Sequence, residues 1–96
     1  MQKIIKITSK FEKAIARLDK KWIYNESIFI ENILEFFANE ENPKFRKHKI
    51  NINNTDTIRS ISIGYDLRTL YYRVIKLPND NVEYIFFDIW NHNDIY

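Results

Sequence analysis

The 96-residue chain has no cysteine, one glycine, one methionine and two prolines. Without cysteine there is no disulfide framework, thiolate metal site or thiol nucleophile. A thiol-free chain suits a reducing compartment, so a cytoplasmic location is the expectation. One glycine excludes a phosphate-cradling glycine loop and a dinucleotide fingerprint, which need several. The two histidines, His48 and His92, lack the local spacing of a metal motif, so no metal and no other cofactor is expected. No helix-turn-helix or zinc-finger pattern is visible. Apolar runs are only a few residues long, too short to span a membrane. Charges interrupt the apolar residues at the N-terminus, which does not read as a signal peptide.

What is present is a core former. Apolar residues make up 45% and aromatics 16%, enough for one domain spanning residues 1–96. The net charge is a mild +2. Lys3, Lys6, Lys10, Lys13, Arg17, Lys20 and Lys21 crowd the first quarter, and Lys44, Arg46, Lys47 and Lys49 form a second cluster. Such clusters read first as solvated faces.

Residues 3–8 (KIIKIT) read as a strand. Ser9 with Glu12 fits a capping box. The helix behind it puts Phe11, Ile15, Leu18 and Trp22 on one stripe, so Trp22 is expected in the core, as is Trp90. Asn25 is placed to cap a second helix whose apolar face carries Ile30, Ile33, Leu34 and Phe37, ending near Asn39–Asn42 ahead of Pro43. Residues 48–52 suit a short strand, and the Asn/Thr-rich segment 51–57 reads as a loop. Residues 59–63 alternate as a strand, and Gly64-Tyr65-Asp66 makes a turn. Residues 67–77 and 82–90 form a hairpin about Pro78-Asn79-Asp80-Asn81, the last strand being the most apolar and expected at the centre. The expected class is α+β: an antiparallel sheet with an N-terminal strand and a two-helix hairpin packed on one face.

In that hairpin Arg68 falls opposite residues 90–92, which brings Asp66, Arg68, His92 and Tyr96 to one end of the sheet. Arginine offers phosphate oxygens a planar fork, histidine exchanges protons near neutral pH, and tyrosine stacks on a base. RNA supplies its own nucleophile, the 2′-hydroxyl, so such a set could cut it with a base, a cation and an acid alone. The plainer alternative for Arg68 is a salt bridge to Asp66; for the histidines, ordinary surface positions.

Three blocks in order carry a resemblance: Phe45-Arg46-Lys47-His48-Lys49-Ile50, then Ser60 through Tyr72 with Asp66-Leu67-Arg68-Thr69-Leu70-Tyr71 inside it, then Phe87 through Tyr96 with His92 and Tyr96. They resemble the RelE/ParE superfamily of type II toxins, in particular the YafQ-like mRNA interferases. The resemblance implies a RelE-like fold and an endoribonuclease acting on mRNA, often in the ribosomal A site, silenced by a cognate antitoxin. It gives His92 the role of general acid or base, Arg68 that of stabilising transition-state charge, His48 and Asp66 the second proton transfer, and Tyr96 nucleotide placement. Lys44, Arg46, Lys47, Lys49, Arg59 and Trp90 are the expected RNA contacts. An antitoxin segment with acidic residues would neutralise Lys44, Arg46 and Lys47. Two positions depart from the pattern: Trp90 stands where many members have glycine, and Ser62 where some carry another histidine. A ParE-like gyrase inhibitor lacking nuclease activity, or an inactive antitoxin-binding module, are the alternatives on the same fold.

Overall fold

The computed structural model describes residues 2–52, 55–64 and 66–91. The chain runs β1 (Lys3–Ile7), α1 (Ser9–Lys20), α2 (Glu26–Ala38), a 3-10 turn (Pro43–Phe45), β2 (His48–Ile52), β3 (Thr55–Gly64), β4 (Leu67–Lys76) and β5 (Asn81–Asn91). The five strands form one sheet in the order β1-β5-β4-β3-β2. β2 to β5 are the expected antiparallel meander, and β1 joins it parallel to β5. Among these strands β4, rather than β5, holds the centre; β5 lies between β4 and β1.

Both helices start at side-chain caps. Thr8, one residue before the expected serine, accepts the Phe11 N–H at 3.2 Å, and Asn25 accepts that of Ile28 at 3.0 Å. The buried face of α1 is Phe11, Ala14 and Ile15; that of α2 is Phe29, Ile33 and Phe36, while Leu34 is exposed. These side chains meet Ile61, Ile63, Tyr71, Tyr84 and Phe86 from one face of the sheet. The rings interlock: Phe29 lies 4.7 Å from Phe11 and 5.1 Å from Phe86, centroid to centroid. Tilted and edge-on pairs of this kind add to plain burial.

Trp22 departs from the helical stripe. α1 stops at Lys20, and Trp22 N–H bonds the Asp19 carbonyl while Ile23 N–H bonds that of Leu18. This is a Schellman ending, and its C′ position requires a left-handed residue, usually glycine. Here it is Trp22, at φ 59°, with its side chain 94% exposed. The backbone strain of an L-residue there is about 1–2 kcal/mol.

The Asn/Thr-rich segment is not one long loop. β2 and β3 run into it from both sides, with Ile52 paired to Thr55. At the other end of β3, Gly64 takes φ 91° and Asp66 φ 60°, so the chain reverses through two left-handed residues.

Candidate functional site

Alternation along β3 and β4 sends Ile61, Ile63 and Tyr71 to the helices, and Ser60, Ser62, Arg68 and Leu70 to the other face. Arg68 therefore sits on the sheet face away from the aromatic core, at the sheet's centre. It is 1% exposed. A buried guanidinium must find acceptors. Nε donates to Ser60 Oγ at 3.1 Å; Nη2 donates to Ser60 Oγ at 2.9 Å, to the Ser60 carbonyl at 3.2 Å and to the Arg46 carbonyl. Arg46 follows the 3-10 turn in a left-handed conformation, φ 45° and ψ 52°. Arg68 thus ties the loop before β2 to the middle of the sheet.

Around this anchor lies a cleft of about 550 Å³ lined by Lys44, Arg46, Ser62, Asp66 and Arg68, among others. Four residues singled out in the sequence (Lys44, Arg46, Asp66 and Arg68) therefore share one wall. The salt bridge of Asp66 to Arg68 is not how the guanidinium is held: its described hydrogen bonds go to Ser60 and Arg46, and Asp66 is exposed at the turn. His48 stands opposite Ser60 across the β2–β3 ladder, next to the serine that holds Arg68.

The expected rung between β4 and β5 is present: Arg68 pairs with Trp90. Trp90 is half-buried rather than core, and its indole is clamped. Nε1 donates to Asp88 Oδ2 at 2.6 Å, Lys10 Nζ lies 3.0 Å from the same oxygen, and Ile89 N–H donates to Oδ1 at 2.9 Å. This bulky residue therefore has a fixed orientation on the rung it shares with Arg68. His92 and Tyr96 lie outside the described residues; in sequence His92 directly follows Asn91, the last residue of β5.

Lys47, His48, Lys49 and Arg59 fall together at a second depression of about 320 Å³, completed by Glu40 and Arg73. Glu40 is its electrostatic hub. Burial alone would raise its carboxyl, but hydrogen bonds from Lys3 at 2.7 Å and Tyr84 at 2.6 Å, with the charges of Lys3 and Lys47, outweigh that and hold it below the usual carboxylate range. Burial and the bond to Glu40 push the Tyr84 phenol up to about 12. Burial likewise raises the neighbouring Tyr71, whose buried hydroxyl has no hydrogen-bond partner among the described residues. Two lysines among the expected RNA contacts are ion-paired: Lys44 with Glu35, and Lys47 with Glu41 at 2.6 Å. These pairs are largely solvent-exposed and worth little, so a phosphate can displace the carboxylates.

Ser60, Asp88, Glu40 and Arg73 are not legible as site residues in the sequence. Alternation in residues 59–63 puts Ser60 on a face, but only the sheet register brings Arg68 to it.

No family model and no curated protein matches the chain. Solved structures do. The YafQ of an E. coli DinJ–YafQ toxin–antitoxin complex superposes with a TM-score of 0.66 at 12% identity, covering 100% of this chain and 99% of that one. A metal-bound toxin from Helicobacter pylori gives 0.66 at 20% identity, over 97% and 98%. A conserved hypothetical protein from Helicobacter pylori, solved in solution, gives 0.68 at 19%, over the whole of both chains. Identities are low, yet the likeness spans the chain from end to end: the chain has the RelE-like toxin fold, in the form seen in YafQ.

Proposed function

We propose that this protein is the toxin of a type II toxin–antitoxin pair, an endoribonuclease that cleaves mRNA through the RNA's own 2′-hydroxyl without a metal ion. The observation that carries the reading is the rung Arg68–Trp90 beneath a cleft lined by Lys44, Arg46 and Asp66, with His48 opposite the serine that holds Arg68. A base takes the 2′-hydroxyl proton, the oxygen attacks phosphorus, and an acid protonates the departing 5′-oxygen, leaving a 2′,3′-cyclic phosphate and a 5′-hydroxyl. Crowded negative charge on the phosphorus favours preorganised cations. Arg68, immobilised by Ser60 and Arg46, supplies fixed charge at the cleft floor, while Lys44 and Arg46 meet the strand's phosphates. His92 is assigned proton transfer with His48 and Asp66, and Tyr96 nucleotide placement. Lys47, Lys49 and Arg59 continue the contact beyond the cleft.

The partner is a cognate antitoxin, as DinJ is for YafQ. Its acidic residues would exchange with Glu35 and Glu41 for Lys44 and Lys47. Ribosome-bound mRNA in the cytoplasm is the proposed substrate.

The test is purified protein with RNA, with and without ribosomes, reading the cut ends. Wild type should leave cyclic phosphates, lose activity on a 2′-deoxy substrate, and tolerate a chelator. His92→Ala should cut at least 100-fold more slowly. Equal cutting by wild type and His92→Ala would remove the catalytic assignment; inhibition of DNA supercoiling without any RNA cleavage would move the protein to the gyrase-inhibiting branch.

A further inference from the structure

The proposed chemistry leaves α1 unused, yet this helix is sorted by charge. Helical spacing places Lys10, Lys13, Arg17 and Lys20 along one side of the buried stripe, continued by Lys21, while Glu12 and Asp19 fall on the other. Lys10 is spoken for by Asp88, so the cationic row begins on the residue that clamps Trp90. Lys13, Arg17, Lys20 and Lys21 are exposed and make no ion pair among the described residues. Arg17 and Lys21 share a groove of about 170 Å³ with Leu67 and Asn91, the rung next to Arg68–Trp90. At the far end of the row stands Trp22, left-handed and 94% exposed, where glycine would relax the backbone. A strained residue held at full exposure invites a functional reading.

We propose that this side of α1 is a track for single-stranded RNA, leading round the end of the sheet to the Arg68–Trp90 rung, with Trp22 stacking on a base at its far end; its destination rests on the nuclease reading above. A row of unpaired cations spaced along a helix fits successive phosphates, and an open indole face accepts any base without sequence preference. An acidic amphipathic peptide fits less well, because the apolar residues beside the row, Ala14, Leu18, Leu67 and Ile89, line a groove of only about 170 Å³, too small for the apolar face of a helix.

A 2′-O-methyl oligonucleotide, which the proposed chemistry cannot cut, provides the test. Its affinity is measured by anisotropy over a range of salt for wild type, Trp22→Gly and Lys13→Ala/Arg17→Ala. Trp22→Gly should bind about tenfold more weakly. Its melting temperature should hold or rise, because glycine suits φ 59°. The double variant should flatten the slope of log affinity against log salt by about 0.7 for each side chain removed. Wild-type affinity in Trp22→Gly, an unchanged slope in the double variant, or no binding by wild type would each overturn the proposal. So would equally tight binding of poly-glutamate, lost in the same variants, which would assign the face to an acidic polypeptide. Cleavage is not needed for this readout. Losses as expected in a protein that does not cut RNA would keep the track and remove the nuclease reading; cleavage with no such losses would do the reverse.

Discussion

On the helix side of the sheet, Tyr71, Tyr84 and Phe86 meet Phe11, Phe29 and Phe36 through rings a few ångströms apart, and burial is made favourable by apolar contact. On the opposite side the same central strands bury Ser60 and Arg68, at 1% exposure each, and burial is made tolerable by hydrogen bonds instead. The first solution is tolerant: many apolar side chains of similar volume would fill it. The second is not, since each acceptor of Arg68 is specified in place. The ring-filled face can therefore accept many sequences, whereas the polar face needs particular residues at particular rungs.

The contrast can be broken from either side. Phe29→Ala should give the largest loss, about 3–5 kcal/mol by urea unfolding, because its cavity opens among three helix and sheet elements. A loss below about 1 kcal/mol would mean the ring core is loose. Arg68→Ala should follow at about 2–3 kcal/mol, mostly from leaving Ser60 and the Arg46 carbonyl unpaired. Arg68→Lys should recover only part of that and little cleavage, since an ammonium cannot reproduce the fork.

The helix side has its own polar flaw, and it sharpens the comparison. Tyr84→Phe should destabilise by about 1–2 kcal/mol, losing a bond to the Glu40 carboxylate. Tyr71→Phe should be neutral or gain up to about 1 kcal/mol, because its hydroxyl has no partner among the described residues. Equal losses in the two variants would refute the distinction.

Smallest is the response to pH. Glu40 ionises more readily folded than unfolded, so its contribution is complete above the unfolded carboxylate value and fades as pH falls through the lower folded value. Glu40→Gln should flatten that acid limb. The raised Tyr84 phenol works in the other direction: its contribution is full below about 10 and is lost as pH rises toward about 12, so Tyr84→Phe should flatten the alkaline limb.

The sequence shows the meander because turn residues at Pro78-Asn79-Asp80 set it locally, and this alone brings Arg68 near Trp90; the rung itself is set by a register shift between Leu70 and Tyr71 that no turn residue announces. Trp22 defeats the same reading. Periodicity extends its stripe, but the point where α1 stops is set by a Schellman ending that has no glycine to announce it. Residues 51–57 read as loop by composition, yet residues 51, 52 and 55–57 lie in β2 and β3, where strand pairing outweighs local preference. At the site, Arg68 was visible and its partners were not. Ser60 and Arg46 become acceptors only through sheet register and a left-handed carbonyl, and Lys10 reaches Asp88 from the opposite end of the chain.

The parallel ladder of β1 with β5 joins Lys3 to Val82, is flanked by Val82 N–H to Gln2 and Thr8 N–H to Phe86, and has a kinetic meaning. Pairing strands so far apart in sequence is slow to nucleate, because loop closure precedes any gain from contact. At ribosomal speeds of about 5–20 residues per second, β5 emerges roughly 4–16 s after β1. A nascent chain short of β5 lacks Tyr84 and Phe86 from its core and Trp90 from its site. Arrival of β5 therefore joins β1 to β4 and sets Trp90 opposite Arg68 in one event, so the sheet and the rung of the proposed site form together.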